Sequence, residues 1–311
     1  VAIELGSSKI TGIAGKKNPD GSITVLAVAK EDSKACMRKG VVYNIDKTAQ
    51  ALTNIINKLK GSLQTDIARV YVGVGGQSLK GVKNVVVKDL PADSIVTQDI
   101  VNELMDTNRN MKNNDYEVLD AITQEYKVDM LDELNPVGVQ ACHIEGNFLN
   151  LLWRKTFNRS LNKCFDNAGI PIVEMYVTPL AMAEEILTEA EKCAGCMLVD
   201  LGADTTTVAI YTRDILRHLF VLPLGSNNIT KDLTALKMEE REAEAMKLKY
   251  ASAYTEVADI DDSMVWAIDN NRSVNSRLFI DVVEARVLEI IANVWYLVPT
   301  EYTDKLLGGI I

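Results

Sequence analysis

Two stretches far apart in the chain carry the same chemical groups in the same order. The first is Val1-Ala2-Ile3-Glu4-Leu5-Gly6-Ser7-Ser8-Lys9-Ile10, and the second is Leu198-Val199-Asp200-Leu201-Gly202-Ala203-Asp204-Thr205-Thr206-Thr207. Each is an apolar run, then an acid, one aliphatic residue, a glycine and hydroxyl residues. A second apolar run follows each, Ile10–Ala14 and Val208–Tyr211, so each reads as a β-hairpin with a polar tip. Gly6 and Gly202 let backbone amides approach phosphate oxygens closely. Ser7, Ser8, Thr205 and Thr206 add donors, and Lys9 can neutralise phosphate charge. Glu4 and Asp200 suit the waters of a hydrated Mg²⁺. Two carboxylates beside a triphosphate would repel it without the cation, so Mg²⁺ is implied. One such tip is usually only a turn. Two, with the acid at the same offset, point to a duplicated domain with nucleotide clamped between the halves.

The elements that must position these tips are ordinary globular ones. The chain has 311 residues, enough for two domains, and is 47% hydrophobic and 24% charged. A net charge of −10 leaves no basic stripe for releasing counterions, which argues against nucleic acid as a general partner. It also argues against holding anionic lipid by charge. The five scattered cysteines, an odd number, fit a reducing cytoplasm better than a disulfide framework. No signal peptide is visible, and no apolar run approaches the roughly 20 residues of a membrane-spanning helix. The chain starts inside a strand and ends on the apolar run Gly308–Ile311, which reads as a truncated protein.

Strands are expected at Ile23–Ala29, after the turn Asn18-Pro19-Asp20-Gly21, and at Ala68–Val74. Between them Asp46 is expected to cap a helix with Ala49, Leu52, Ile55, Ile56 and Leu59 on its apolar face. From about Lys80 to Phe165 the texture changes to a compact α+β insert. It has strands at Val85–Val87, Val118–Val128 and Val137–Ile144 and an apolar run at Asn147–Trp153. A helix capped by Thr97 runs through Met105, Asn108–Asp115 is a loop, and Phe157–Phe165 is a second helix. Pro171–Tyr176 returns as a strand, Pro179–Ala194 as one helix and Leu216–Leu222 as another strand. Gly225–Asn228 reads as a loop, Glu239–Tyr250 as an exposed charged helix and Thr255–Asn271 as acidic and irregular. Ser276–Leu297 is a long helix with Leu278, Val282, Ala285, Leu288, Ile291, Ala292 and Trp295 on its apolar face.

Three further motifs have plain alternatives. Cys193-Ala194-Gly195-Cys196 has redox or zinc-knuckle spacing, but no second pair completes a metal site, and a buried cysteine acts as a small hydrophobe. Gly73-Val74-Gly75-Gly76 resembles part of a dinucleotide fingerprint with the wrong spacing, and reads as a strand end. Glu244 and Lys247 sit one turn apart, as a solvated charge pair on an exposed helix would.

Taken in order, the motifs resemble the actin, sugar-kinase and heat-shock-chaperone superfamily, and within it the bacterial cell-division FtsA family. The pieces are Gly6–Ile10, Arg38–Val41, Val72–Gln77, Gln124–Asp129, Asn135–Gly138, Asp200–Gly202 with Thr205-Thr206, Leu222–Gly225, Ile229–Asp232, Ala243–Lys247 and Glu284–Arg286. The resemblance implies an α/β fold: an actin-like two-lobed ATPase fold with an α+β insert in the first lobe. It implies a first-lobe core over 1–81 and 166–194 and the insert over 82–165. The second-lobe core would span 195–225 and 276–311, with its own insert over 226–275.

What the resemblance implies about function is a nucleotide-dependent scaffold. ATP with Mg²⁺ would bind, with Gly6, Ser7, Ser8, Lys9, Gly202, Thr205 and Thr206 on the phosphates. Gly225, Glu244 and Lys247 would lie along the rest of the nucleotide. Glu4 and Asp200 would hold the cation through water, and Asp200 and Thr178 are the candidates for catalysis. Hydrolysis, if any, is expected to be slow, because no dedicated general base is evident. The implied partners are the FtsZ C-terminal tail, further copies in protofilaments, and the inner face of the cytoplasmic membrane at the division site through a C-terminal helix. Two residues depart from the family pattern: Glu4, where aspartate is usual, and Asp204, where glycine is usual. The chain is also expected to stop just before the family's glycine-rich adenosine loop. A pilus-assembly adaptor of the PilM type, which shares the insert, and a small-molecule kinase are the alternative functions.

Overall fold

Alternating apolar side chains build the first sheet. In the computed structural model, which describes residues 1–256 and 263–311, β1 (Ala2–Leu5) and β2 (Lys9–Lys17) form the first hairpin, with Ile3, Leu5, Ile10 and Ala14 buried. β3 (Ile23–Asp32) joins it antiparallel. A two-residue ribbon, β4 (Met37–Arg38) with β5 (Val41–Val42), leads into α1 (Ile45–Leu63). Asn44, not Asp46, caps α1: its Oδ1 accepts from Lys47 N at 3.0 Å, while Asp46 lies in the first turn. Both residue types suit a cap, and packing of the helix chose between them. β6 (Val70–Val74) returns parallel to β1.

The insert follows. β7 (Lys80–Asp89), α2 (Gln98–Arg109), β8 (Tyr116–Val128), β9 (Leu131–Glu133) and β10 (His143–Arg154) form an antiparallel sheet in the order β7-β10-β8-β9 with one helix. Thr97 caps α2 as expected. The strand expected at Val137–Ile144 is largely absent. A turn closed by Val139 N donating to Pro136 O occupies it, with one isolated bridge at Gln140. β10 instead starts at His143 and takes in the whole later apolar run. α2 also runs past Met105, so Asn108 is helical and fully buried rather than in a loop. Its amide pairs reciprocally with Asn150 of β10, at 2.7 and 2.8 Å, and accepts from Asn84 of β7 at 2.8 Å. Three asparagines thereby fix the register of the helix on the sheet.

The chain then returns through α3 (Lys155–Ala168) and β11 (Ile172–Val177), which lies parallel to β6. The five-stranded order is β11-β6-β1-β2-β3. α1 and α3 share its main core, where Leu52, Ile55 and Leu59 meet Val70, Val72, Leu161 and Phe165. The helix expected over Pro179–Ala194 is two, α4 (Thr178–Ile186) and α5 (Glu189–Ala194). Thr188 and Glu191 form a reciprocal capping box that stops one helix and starts the next. β12 (Cys196–Leu201), β13 (Thr206–Thr212) and β14 (Ile215–Leu222) form the second hairpin and its extension.

α6 (Ser226–Leu233) occupies the segment expected as a loop, with Asn228 Oδ1 accepting from Gly225 N at 3.0 Å. α7 (Glu240–Tyr250) follows, then a short hairpin of β15 (Val265–Ala267), inside the stretch expected to be irregular, and β16 (Ser273–Asn275), just after it. Residues 257–262 of that stretch lie outside those described. α8 (Ser276–Leu297) has the expected span but turns another face inward. Phe279, Ile280, Val283, Ile290 and Val294 are buried, whereas Leu278, Leu288, Ile291 and Trp295 are exposed. The helix is apolar almost all round, so periodicity alone could not choose the buried side. β17 (Gly309–Ile310) ends the chain parallel to β12, in the order β14-β13-β12-β17.

Contacts divide the chain into two units. One is Val1–Asp200, Thr207–Val221 and Asp304–Ile311; the other is Leu201–Thr206 and Leu222–Thr303. This grouping is coarser than the four-part division read from the sequence.

Replacing Asn108 with alanine strands the buried amide of Asn150 and the half-buried one of Asn84. The expected loss is about 1–3 kcal/mol of local stability, read as faster amide hydrogen exchange across β7, β8 and β10. Exchange there at the wild-type rate would refute a register role.

Candidate functional site

Both hairpin tips close in the same way. Gly6 N donates to Lys9 O at 3.1 Å, and Gly202 N donates to Thr205 O at 2.9 Å. A Cβ on Gly6 would stand 2.8 Å from Lys9 O, and one on Gly202 2.7 Å from Thr205 O. Close approach therefore demands glycine at both places. The equivalence pairs Glu4 with Asp200 and Lys9 with Thr205, so Ser7 and Ser8 match Ala203 and Asp204 rather than Thr205 and Thr206.

The first tip belongs to the larger unit and is braced from outside the hairpin. Ser33 Oγ donates to Gly6 O at 2.7 Å, and Ser33 N donates to Ser8 O at 3.2 Å. Gly40 N donates to Ser7 Oγ at 2.7 Å. Ser7 is consequently buried and part of the scaffold, while Ser8 and Lys9 are exposed. Ser33 escaped the sequence reading because nothing in its spacing marks it, whereas Gly40 lies within one of the family-like pieces.

Glu4 sits in an open groove of about 610 Å³ whose lining includes Thr11, Tyr71, Gly73, Tyr176, Thr178 and Met182. Glu4 is exposed on its strand, so water reaches the carboxyl, which lies among the groove's apolar lining. Burial pushes the Glu4 carboxyl above its ordinary value, the Asp200 charge pushes it further, and Lys9 opposes both. Burial likewise raises Asp200. Thr178, the first residue of α4, shares the groove with Glu4; its Oγ1 would be 3.0 Å from a Cβ on Gly73. The structure thus brings Glu4, Asp200, Lys9 and Thr178 into one region of this unit. Two acids whose charged forms are disfavoured by burial and by each other fit a hydrated divalent cation.

The second tip belongs to the smaller unit. Thr206 is buried and its Oγ1 donates to Leu224 O at 2.9 Å, while Thr205 is half-buried. Ser226 N donates to Gly202 O at 3.0 Å and Asn227 N to Ala203 O at 2.7 Å. Asp204 is turned aside, accepting from Asn227 Nδ2 at 2.7 Å. A Cβ on Gly225 would stand 2.5 Å from Ala203 O, so this glycine lets the start of α6 lie directly on the tip.

Glu244 and Lys247 form no solvated surface pair. Lys247 Nζ donates to Thr230 Oγ1 at 2.8 Å and Ser226 O at 3.2 Å, and meets Glu244 Oε2 at 2.8 Å. Thr230 Oγ1 donates to the same carboxylate oxygen at 2.6 Å. The lysine side chain is only 10% exposed. Ser226 and Thr230 join this cluster to the start of α6, hence to Gly225 and the tip. Sequence spacing missed them because the contact needs two helices. Arg286 of α8 holds Asp232 of α6 through two bonds, at 2.5 and 3.0 Å, which steadies the same helix. All five cysteines are free, Cys196 being buried, and among the described residues no cluster of metal-ligating side chains exists.

Two family models match this chain: "Cell division protein FtsA" over residues 197–279, and "SHS2 domain inserted in FTSA" over residues 76–152. A cell division protein FtsA of Porphyromonas gingivalis is 34% identical over 254 residues, 80% of this chain and 53% of that protein. The FtsA of Pseudomonas aeruginosa is 26% identical, over 100% of this chain and 76% of its own. The chain thus spans about half of the first relative's length and three quarters of the second's. Among solved structures, a PilM-PilN type IV pilus biogenesis complex matches with TM-score 0.61 and 14% identity, over 94% of this chain and 74% of that one. MreB5 of Spiroplasma citri bound to ADP matches with TM-score 0.53 and 10% identity, over 99% and 82%. At those identities the two structures show the fold alone, which is actin-like as expected.

The raised Glu4 carboxyl makes stability depend on pH. Its contribution is present below its ordinary value of 4.5 and is lost as pH rises through the raised value. In Mg²⁺-free buffer at neutral pH, Glu4→Gln is expected to melt above wild type, with the difference closing as the solution is acidified. Thermal melts across pH check this; a variant melting lower at neutral pH would contradict it.

Proposed function

We propose that this chain is a member of the FtsA family of cell-division proteins and an ATP-binding, actin-like scaffold for division. The observation that carries the nucleotide part is the shared closure of the two tips. Each exposes donors at the end of a strand that carries an acid, in the pattern a phosphate needs. In this reading Ser8, Lys9 and Thr205 bind phosphate, while Gly6 and Gly202, whose N–H groups close the tips, let phosphate come close to the backbone. Ser7 and Thr206 act by holding those tips in shape. Glu4 and Asp200 hold Mg²⁺ through water; the ion, when bound, offsets the charge of phosphates and carboxylates together. Gly225 keeps the start of α6 close to the phosphates, and the Lys247–Glu244–Thr230 cluster sets the nucleoside side.

Thr178 is assigned to orient water in the Glu4 groove, and turnover, if any, is slow in this reading. The four-part division into two cores and two inserts is kept as part of this proposal. Among the described residues no helix is long and apolar enough to cross a membrane. Membrane attachment, in this reading, is peripheral and on the cytoplasmic face. The partners are further copies of the chain and the FtsZ tail.

Isothermal titration of this chain with ATP tests the nucleotide part. Binding is expected with Mg²⁺ and to weaken at least tenfold in EDTA. Lys9→Ala is expected to cost about tenfold, near 1.4 kcal/mol, with the melting temperature unchanged. Sedimentation with Mg²⁺·ATP and binding of an FtsZ tail peptide test the scaffold part. Absence of both would sink it.

A further inference from the structure

The insert meets the β12–β14 sheet at a polar contact that nucleotide binding does not use. β8 has a bulge there: Glu125 pairs with Asn147 and Thr123 with Phe148, leaving Gln124 without a partner on β10. A bulge re-aims one side chain, and Gln124 points into the neighbouring sheet. Its Nε2 donates to Leu216 O on β14 at 2.9 Å, and its Oε1 accepts from Arg217 Nη1 at 3.3 Å. The same Arg217 nitrogen reaches Glu125 Oε2 at 3.3 Å. Gln124 is 6% exposed and Arg217 9%. Around them Leu149 and Leu151 of β10 share a buried cluster with Leu216 and Leu219 of β14. Gly81 of β7 lies so near β14 that a Cβ would be 2.9 Å from Leu219 O.

Sliding this contact would leave a buried guanidinium, an amide and a carbonyl unpaired. It therefore has a seated arrangement and a released one, with little between. β14 belongs to the same sheet as β12, which carries Asp200. We propose that Gln124, Glu125 and Arg217 form a latch that makes the insert and the Asp200-bearing sheet one mechanical body. A macromolecule that loads the insert is then felt at the cation-holding strand, and nucleotide is felt at the insert. Gln124 and Arg217 are positioning residues; neither is placed on phosphate or cation. The latch itself stands without the nucleotide reading, and its coupling to nucleotide rests on that reading.

Amide hydrogen exchange on the whole chain tests both parts, with Gln124→Met, Arg217→Met, the pair of substitutions, and Arg217→Lys. Without nucleotide, each methionine substitution is expected to speed exchange roughly tenfold in both β8 and β14. The pair should do no more than the worse single change, and Arg217→Lys should do less. Effects confined to the mutated strand, or additive, would overturn the latch. A variant that fails to fold shows protection lost in α1 as well, and Arg217→Lys then decides by whether β8 and β14 change together. With Mg²⁺·ATP, wild type should slow exchange at residues 202–206 and in β8. Gln124→Met should keep the first response and lose the second. A wild-type response at 202–206 without one in β8 would overturn the coupling. No response at either place would instead overturn nucleotide binding, and the nucleotide-free arm would still decide the latch.

Discussion

A single backbone hydrogen bond, made twice, governs the chemistry available to this chain. It joins a glycine N–H to the carbonyl three residues on, at Gly6 and at Gly202. The bond forces each hairpin to turn immediately after its acid-bearing strand. It also forbids a side chain at the glycine, because the carbonyl it bonds occupies that space. Everything around the tips protects this turn. Ser33 and Gly40 brace the first one, and Leu224, Ser226 and Asn227 brace the second. The bracing partners differ, yet they serve one end: tip amides held in place before any ligand arrives.

The electrostatics follow from where those turns put their acids. Glu4 and Asp200 carry a standing cost that burial and mutual repulsion impose. Such a pair is unfavourable in itself and becomes favourable when a cation joins it. Asp204, which by sequence would add to the cost, is taken up by Asn227. Lys247, which by sequence would form a solvated surface pair with Glu244, is held within a cluster of Thr230, Glu244 and Ser226. Local contacts thus turn Asp204 toward Asn227 and pair Lys247 with Glu244, and leave Lys9 exposed beside the first tip.

Much of the fold was legible because alternation and helical periodicity are strong where one face is buried. β2 and α1 follow their patterns closely, β8 covers its expected segment, and Thr97 announces α2. The pattern misled where local signals tie or where apolarity has no direction. Asn44 and Asp46 are equal as caps. α8 is apolar on nearly every side, so the inward face came from its neighbours. Asn108 looked like a loop residue because its hydrogen-bond partners, Asn84 and Asn150, are distant in sequence. The bulge at Gln124 leaves no trace in composition, since it is defined by what β10 presents opposite.

The sequence alone determined the repeated acid–glycine–hydroxyl tips, the insert between them and the likeness to the FtsA family. Those properties are local: residue type and spacing set the turn, the strand and the charge. The tertiary structure alone decided which of the hydroxyls are braces, where Asp204 points, and that Glu244 and Lys247 are shielded by α6. It also decided that the insert is fastened to β14. Each of these depends on hydrogen-bond partners brought together from separate elements, and a buried polar group declares its role only through the partner that satisfies it.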